Sequence, residues 1–178
     1  MTAWTLYPGP ARLPDAASPD VRGCSYSVRA EVLLAAVSPS GVLLSHGDRH
    51  AGYALHVRDG RLVHDYVHAG VRSTLRSRAA VPVGRWTVLE LRVRRVGVCG
   101  AASLLVDGRR VAFGVIPLLA RARTGYTGVD VGCDRGVPVG EYDAPARFPG
   151  TIRRVVVETA DDRWVDELGA MLLEGATG

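Results

Sequence analysis

The sequence contains no lysine, so all 22 of its basic residues are arginine. With 18 acidic residues and neutral histidines, the net charge is +4. The arginines are spread along the chain among the carboxylates, and no basic arm or recognition motif accompanies them, so we expect no nucleic-acid partner. Arginine does bind an anion through two parallel hydrogen bonds, which lysine cannot do, and an anionic ligand therefore stays open.

Two further absences exclude whole classes of protein. No apolar run reaches the roughly 20 residues that cross a bilayer, so the sequence predicts no membrane partner. The opening residues, MTAWTLYPGPARLPD, have neither the basic n-region nor the apolar h-region of a secretory signal, and we expect a cytoplasmic protein. The three cysteines, Cys24, Cys99 and Cys133, have no metal-binding spacing, and we expect reduced thiols in that compartment.

The length and the alternation of residues predict one all-β domain over residues 1–178. From Ser25 onward, polar and apolar residues alternate in short segments such as SYSVRAEVLL, TVLELRVRRV and TIRRVVVE. Two dipeptides, Asp59-Gly60 and Asp107-Gly108, predict tight hairpins. Because no helical period interrupts these segments, residues 24–158 are predicted to form an antiparallel β-sandwich.

The two ends of the chain differ from this pattern. Residues 1–23 are rich in proline, glycine and alanine, and we expect an extended arm laid on the domain. Residues 161–174 are predicted to form an amphipathic helix, capped by Asp161 or Asp162, with an apolar stripe of Trp164, Val165, Leu168, Met171 and Leu172. That stripe must be buried, either on the sandwich itself or in a homodimer interface.

Three segments together carry a resemblance to a known family: LYPGPARLPDAASPDVRG, GVLLSHGDRHAGYALHVRDGRLVHDY and DVGCDRGVPVGEYDAPARFPGTIRRV. They resemble the C-terminal accessory domain of bacterial arylsulfatases. The resemblance implies a jelly-roll sandwich of the concanavalin A-like or laminin-G-like type, from about Tyr7 to Val157.

Sulfatase activity is not implied. The segment CSYSVR at Cys24 lacks the proline and the correctly spaced arginine of the family's C/S-x-P-x-R motif. The chain is also too short for the catalytic domain of those enzymes. Jelly-roll glycosidases carry two carboxylates spaced as E-x-D-x-x-E, and this chain has no such segment.

Four of the five histidines fall in one segment, HAGYALHVRDGRLVHDYVHAG, which spans residues 50–70. If Asp59-Gly60 is a two-residue turn, Leu55 faces His64, and alternation sends neighbouring side chains to opposite sides. One face then carries Tyr53, His64, Tyr66 and His68, and the other carries His56 and Asp65. Because the histidines are divided, they do not converge as the ligands of a zinc site must.

The face that carries Tyr53, His64, Tyr66 and His68 has two interpretations, and the sequence leaves both open. It either packs into the core or lines a groove, where these side chains would contact a sugar-like or aromatic ligand. In a groove, His64 would be a general acid–base acting on an aromatic or polyketide-like small molecule, with His68 and Asp65 as further catalytic candidates.

Arginines alternate along two predicted strands. One strand carries Arg72, Arg76 and Arg78, and the other carries Arg92 and Arg94. If these strands are neighbours, one sheet face is basic, and Arg76 and Arg92 would bind the sulfate or phosphate groups of a ligand. The alternative is a solvated convex face without a ligand.

The segment DVGCDRGVPVGEYD holds four carboxylates: Asp130, Asp134, Glu141 and Asp143. Oxygen ligands of this kind suit Ca²⁺, and the laminin-G-like resemblance also favours calcium at a loop rim. The alternative is a long loop whose aspartates and glycines only form turns. No other cofactor is suggested by the sequence.

Three functions are compatible with these patterns. The first is a non-catalytic module that binds a small anionic or sugar-like ligand, or a partner, beside a separately encoded enzyme. The second is a small enzyme of the same fold, and the third is a structural module that dimerises through its terminal helix. The missing sulfatase and glycosidase motifs favour the first.

Overall fold

The computed structural model describes residues 1–35, 39–121 and 127–163, which form two antiparallel β-sheets packed face to face. The strands are β1 (Thr2–Leu6), β2 (Tyr26–Leu34), β3 (Gly41–Gly47), β4 (Gly52–Arg58), β5 (Arg61–His68), β6 (Val71–Ala80), β7 (Trp86–Val96), β8 (Cys99–Val106), β9 (Arg109–Ile116), β10 (Val129–Val131) and β11 (Gly150–Thr159). Apart from a 3₁₀ turn at Asp15–Ala17, these described ranges contain no helix. No helix among them could therefore span a membrane.

The strands divide into a six-stranded and a five-stranded sheet. The first has the order β1-β11-β2-β7-β8-β9, and the second has the order β10-β3-β4-β5-β6. Every neighbouring pair is antiparallel. This arrangement confirms the all-β antiparallel sandwich that the sequence predicts.

The core lies between the sheets and is formed by the inward half of each alternating strand. In β2, Val28, Ala30 and Val32 are fully buried, whereas the intervening Arg29 is exposed. Leucines of the five-stranded sheet, such as Leu55, pack in the same core. Burial of a side chain of this size contributes roughly 1.5–3 kcal/mol, so this apolar layer holds the two sheets together.

The two arginine-rich strands are not neighbours, so that part of the prediction is wrong. β6, which carries Arg76, is an edge of the five-stranded sheet, while β7, which carries Arg92, lies inside the six-stranded sheet. The chain crosses between the sheets over residues 81–85, which include Pro82 and Gly84. Alternation along a strand reports which residues share a face, but it does not report which strands pair.

The amino-terminal arm is part of the sandwich rather than only an extended segment laid on it. Residues 2–6 form the edge strand β1, which pairs with β11 from Thr2 opposite Thr159 to Leu6 opposite Val155. The proline- and glycine-rich composition of residues 1–23 masks the short strand-forming segment TAWTL at its start.

The predicted terminal helix lies outside the described residues from position 164 onward. Asp162, one of its two predicted caps, instead accepts hydrogen bonds from the backbone N–H and the hydroxyl of Ser25. The helix, and the homodimer that it would form, therefore remain predictions. Cys24, Cys99 and Cys133 are free thiols.

Three hairpins of the sandwich turn through two residues with positive φ. Asp59-Gly60 and Asp107-Gly108 have φ of 49° and 70°, and of 48° and 78°, as the Asp-Gly signal predicts. The third turn is Ala69-Gly70, with φ of 50° and 75°. Alanine in the left-handed region costs about 1 kcal/mol, because its Cβ approaches the following carbonyl and no polar side chain compensates.

Replacing Ala69 by Asn is therefore expected to raise the free energy of unfolding by about 0.5–1 kcal/mol, since Asn tolerates this conformation. Ala69 is exposed, so packing does not change. Urea denaturation measures the effect, and Ala69→Val, which adds a β-branch at the same position, should lower stability. A loss of stability in Ala69→Asn would contradict the proposed turn strain.

Candidate functional site

The predicted hairpin of β4 and β5 forms with the predicted register. Tyr53 lies opposite Tyr66, Leu55 opposite His64, and Val57 opposite Leu62. Tyr53, Leu55 and Tyr66 belong to the main hydrophobic core, so this face of the hairpin points between the sheets. The register thus resolves the choice that the sequence leaves open: the face is core over most of its length.

His64 lies inside that core, with 1% of its surface exposed. Its Nδ1 donates a hydrogen bond to the carbonyl oxygen of Ala54 at 3.0 Å, and its Nε2 has no partner among the described residues. Burial lowers the pKa of His64 to about 4, which keeps the ring neutral near pH 7. The structure therefore does not place this candidate acid–base where a ligand could reach it. His68 lies at the end of the same strand, half-buried.

The opposite face of the hairpin carries a buried polar cluster. Asp65 accepts a hydrogen bond from the Thr74 hydroxyl, and its Oδ2 lies 2.8 Å from His56 Nε2. The Tyr142 ring packs edge-on against His56, with 5.0 Å between centroids, and its hydroxyl donates to Asp134 at 2.8 Å. Residues around Tyr142 thus cover this face, which leaves Asp65 buried as a structural group rather than as a catalytic one.

Three of the four carboxylates predicted to bind calcium contact arginine or tyrosine side chains instead. Asp130 is buried and paired with Arg12 at 2.7 Å and with Arg135. Asp134 accepts from Tyr142, while the exposed Glu141 pairs with Arg58 at 3.2 Å and with Arg72 at 3.3 Å.

Arg12 also lies between two of these carboxylates, because its Nη2 is 3.8 Å from Asp134 Oδ1 as well as 2.7 Å from Asp130. Asp143 is exposed, and its backbone carbonyl accepts from the N–H of Ala146. Among the described residues no three acidic, histidine or cysteine side chains converge as metal ligands. The structure therefore does not bring Asp130, Asp134, Glu141 and Asp143 together as a calcium site.

A cleft opens where β3 ends, β4 begins and residues 15–22 cross the end of the five-stranded sheet. Its walls are Asp15, Pro19, Asp20, Val21, Arg22, His46, Gly47, Ala51, Gly52, Tyr53, Tyr66, Val67 and Ala120. The enclosed volume is about 70 Å³, which holds roughly five water molecules. Two of the predicted ligand residues, Tyr53 and Tyr66, therefore contribute to this cleft, although His64 and His68 do not line it.

The turn from β3 to β4 shapes one wall of the cleft. Asp48 Oδ1 accepts from the backbone N–H groups of His50 and Ala51, at 2.7 and 3.3 Å, and closes a tight turn. Gly47 has φ of +93°, and a Cβ there would lie 2.1 Å from the carbonyl oxygen of Ala51. Glycine is therefore required at position 47, and the turn holds His46 at the rim.

A histidine–carboxylate contact and an arginine–carboxylate cluster form the rim of the cleft. His46 Nε2 lies 2.9 Å from Asp15 Oδ1. Asp20 accepts two hydrogen bonds of 2.6 Å from the Arg22 guanidinium and one of 3.0 Å from Arg163. Burial alone would raise the pKa of Asp20, but these arginines outweigh it and hold the pKa well below its ordinary value. Asp20 therefore remains ionised across the physiological range of pH.

The floor of the cleft is apolar and aromatic. The Tyr66 hydroxyl accepts from the backbone N–H of Ala120 at 2.7 Å, which fixes that ring. The Tyr53 ring lies 5.7 Å from both the Tyr26 and the His46 rings, between centroids. The Tyr53 hydroxyl is buried and has no partner among the described residues, so it has hydrogen-bonding capacity that the protein does not use.

Most residues of the cleft rim could not be predicted from the sequence. Asp15, Asp20 and Arg22 fall in the segment LPDAASPDVRG, whose prolines and alanines indicate only an irregular arm. The one available signal is that three charged residues interrupt an otherwise apolar, proline-rich segment. His46 is notable in the sequence only as a histidine outside the hairpin.

Arg76 and Arg92, the predicted anion ligands, lie on different sheets. Arg76 Nη2 is 3.4 Å from the carboxylate of Asp59, on the five-stranded sheet. Arg92 binds Glu90 through two hydrogen bonds, of 2.6 and 3.0 Å, on the six-stranded sheet. No single site unites the two arginines.

Comparisons with known proteins identify the fold. No protein-family model matches the chain, and no curated protein matches it in sequence. Among solved structures, the chain is similar to the CBM40 domain of the Ruminococcus gnavus IT-sialidase bound to α2,3-sialyllactose. That similarity has a TM-score of 0.60 at 16% identity, over 83% of this chain and 80% of that one.

Two further structures share the architecture. Domain 4 of AbnA, an extracellular GH43 arabinanase from Geobacillus stearothermophilus in complex with arabinotriose, has a TM-score of 0.58 at 19% identity, over 84% of this chain and 66% of that one. Domains LG4-5 of the mouse laminin α1 chain have a TM-score of 0.55 at 16% identity, over 93% and 40%. The fold is that of jelly-roll carbohydrate-binding modules and laminin G domains. At such identities these jelly-roll neighbours show the fold alone, and no relation to arylsulfatases is shown.

The buried His64 is expected to make this jelly roll acid-sensitive. The unfolded chain takes up a proton near pH 6.5, whereas the folded chain does so only near pH 4, so stability is lost as pH falls through this window. The loss amounts to about 3 kcal/mol. Urea denaturation at pH 7 and pH 4 should show it, and His64→Leu should reduce it. Equal pH dependence of stability in His64→Leu and in the native protein would show that His64 is not the cause. The matched control is His50→Gln, because His50 is exposed.

Removal of the Asp65 carboxylate is expected to destabilise the fold strongly. Asp65→Ala leaves the buried His56 without its acceptor and removes the acceptor of the Thr74 hydroxyl, which should cost about 3 kcal/mol in urea denaturation. Glu141→Ala removes an acidic residue that is 70% exposed in side-chain area and pairs with two surface arginines, and it should cost less than about 1 kcal/mol. Similar losses in the two variants would show that the buried cluster stabilises the fold no more than a surface ion pair does.

Proposed function

We propose that this chain is a non-catalytic module that binds a sugar at the cleft between residues 15–22 and the end of the five-stranded sheet. One observation carries the proposal: a charged rim, with Asp20 and Arg22, stands above an aromatic floor of Tyr53 and Tyr66. A sugar ring has hydroxyl groups at its edge and C–H groups on its faces. The rim can accept and donate hydrogen bonds to the hydroxyls, while the floor contacts the C–H face.

The size of the cleft limits what it can hold. A volume of about 70 Å³ accommodates one edge of a sugar ring, so the remainder of the ligand would lie at the open mouth. Such a site suits the terminal residue of an oligosaccharide better than the middle of a chain.

The rest of the surface supports this choice of site. Trp86 is 42% exposed and would be the usual aromatic platform for a sugar. The Arg153 guanidinium, however, lies over its ring at 4.2 Å from the centroid, so it already occupies one face of that ring. Among the solved structures with this fold, one is bound to sialyllactose and another to arabinotriose. These two ligands are therefore suitable first probes for this chain.

The other functions have less support. The enzyme that the sequence suggests would use His64 or Asp65 as its acid–base, and both are buried. An accessory role beside a separately encoded sulfatase, and dimerisation through residues 161–174, are proposals that rest only on the sequence. Neither is supported by a contact among the described residues.

Replacing Arg22 by Gln should weaken sugar binding at least tenfold, because it removes a charged donor that faces the ligand. Arg163→Gln is the matched control: Arg163 pairs with the same Asp20 carboxylate, but it does not line the cleft. Titration calorimetry with 3′-sialyllactose, arabinotriose and a panel of neutral and acidic oligosaccharides measures the affinity. Absence of saturable binding to the whole panel, or equal loss in both variants, would refute the cleft as a sugar site.

A further inference from the structure

A second and larger depression lies on the outer face of the six-stranded sheet. It has a volume of about 370 Å³ and is lined by Met1, Ser25, Tyr26, Ser27, Arg29, Glu90, Arg92, Val93, Arg94, Glu158, Thr159 and Ala160. It runs over β2, between β7 on one side and β11 on the other. Because it is on the other sheet from the cleft, the two sites are separate.

Small residues form the floor of this depression. Ser27 of β2 lies between Arg92 of β7 and Glu158 of β11, so a serine separates two long side chains. The next outward residue along β2 is Arg29, which lies opposite Glu90. Arg92 and Arg94 thus stand on β7 at one side of the trough, while Arg29 stands on β2 itself. We call this trough the arginine groove and define it by Arg29, Arg92 and Arg94.

The three arginines differ in what they bind. Arg92 is held by Glu90 through two hydrogen bonds, of 2.6 and 3.0 Å. Arg29 and Arg94 are exposed, and within the described ranges neither has a carboxylate partner. Two guanidinium groups are thus available for an external anion, and each can bind a sulfate or carboxylate through two parallel hydrogen bonds.

The spacing of these two arginines indicates an extended ligand. Arg94 lies four residues along β7 from Glu90, the partner of Arg29 across the strand pair. A rise of about 3.4 Å per residue separates the two Cα positions by about 14 Å. If both side chains extend away from the sheet, one small anion cannot contact the two guanidinium groups together, whereas a chain with repeated negative groups can.

The carboxylates in the groove select among anionic polymers. Glu90 is already neutralised by Arg92, while Glu158 is exposed and receives only a long hydrogen bond of 3.4 Å from Ser27. A densely charged nucleic-acid backbone would be repelled by Glu158. The hydroxyls of a polysaccharide can donate hydrogen bonds to this carboxylate, which the oxygens of a phosphodiester cannot do.

We propose that the arginine groove binds an acidic polysaccharide, with the anionic groups on Arg29 and Arg94 and a sugar hydroxyl on Glu158. The ligand class is defined by sulfate or carboxylate groups spaced along a hydroxylated chain. The groove would therefore hold an internal segment of the polymer. This site lies beyond the cleft proposed above and does not depend on it.

The experiment compares two double variants that lose the same charge. Arg29→Gln with Arg94→Gln alters the groove, and Arg72→Gln with Arg76→Gln alters the other sheet. Titration of the native protein with a heparin-derived hexasaccharide, an oligogalacturonate and a neutral dextran oligosaccharide separates sulfate, carboxylate and uncharged sugars. The native protein should bind at least one acidic oligosaccharide, and the tighter of the two identifies the anionic group.

We expect the groove variant to bind the acidic oligosaccharide at least tenfold more weakly, and the control to stay within twofold. Lysines at positions 29 and 94 should restore only part of the affinity, because they keep the charge without the paired hydrogen bonds. Equal losses in both double variants would show that binding follows net charge alone and would overturn the proposal. Tighter binding of a DNA duplex of matched charge would also overturn it.

The same measurements separate this site from the cleft. Arg22→Gln should leave binding of the acidic oligosaccharide at the groove unchanged, and the groove variant should leave the affinity of the cleft ligand unchanged. If Arg22→Gln abolishes acidic-oligosaccharide binding while the groove variant retains it, the groove proposal fails and the cleft proposal stands. Arg29 and Arg94 are exposed, so thermal melting of the groove variant should match the native protein.

Discussion

The register of the β4–β5 hairpin is the constraint on which the rest of the structure depends. Asp59 and Gly60 set Leu55 opposite His64, and alternation then assigns every side chain of the hairpin to one of two faces. A shift of one residue would bring Asp65 into the apolar core and move Tyr66 away from the cleft. This single two-residue turn therefore sets which residues of the hairpin enter the core, the buried polar cluster and the cleft floor.

The two buried histidines of this hairpin show how strongly the face decides the chemistry. His64 faces the apolar core, where burial lowers its pKa and leaves one ring nitrogen without a partner. His56 faces the other way and lies 2.8 Å from a carboxylate oxygen of Asp65. For Asp65, the hydrogen bonds from His56 and Thr74 outweigh the effect of burial and lower its pKa. His64 thus destabilises the fold at low pH, whereas His56 helps to stabilise the buried charge of Asp65.

Local patterns in the sequence predict local structure, but they do not predict which distant residues pair. The hairpin register follows from Asp59-Gly60 and period-two alternation, both of which involve neighbouring residues. The ion pair of Arg12 with Asp130 joins residues 118 positions apart, so the acidic segment looks like a calcium loop until its arginine partners are known. The rim of the cleft is also formed by residues distant in sequence, because Asp15 contacts His46 only after the arm has folded across the sheet. The sequence therefore does not predict it.

The sandwich explains why the two proposed sites differ in character. Its inner faces are used for the core, so a binding surface must lie at the end of a sheet or on an outer face. The end of the five-stranded sheet is narrow and has an aromatic floor, since core tyrosines reach the surface there, and it suits one edge of a sugar. The outer face of the six-stranded sheet is broad and carries arginine at alternate positions, because its inner face is reserved for the apolar core, and it suits an extended chain.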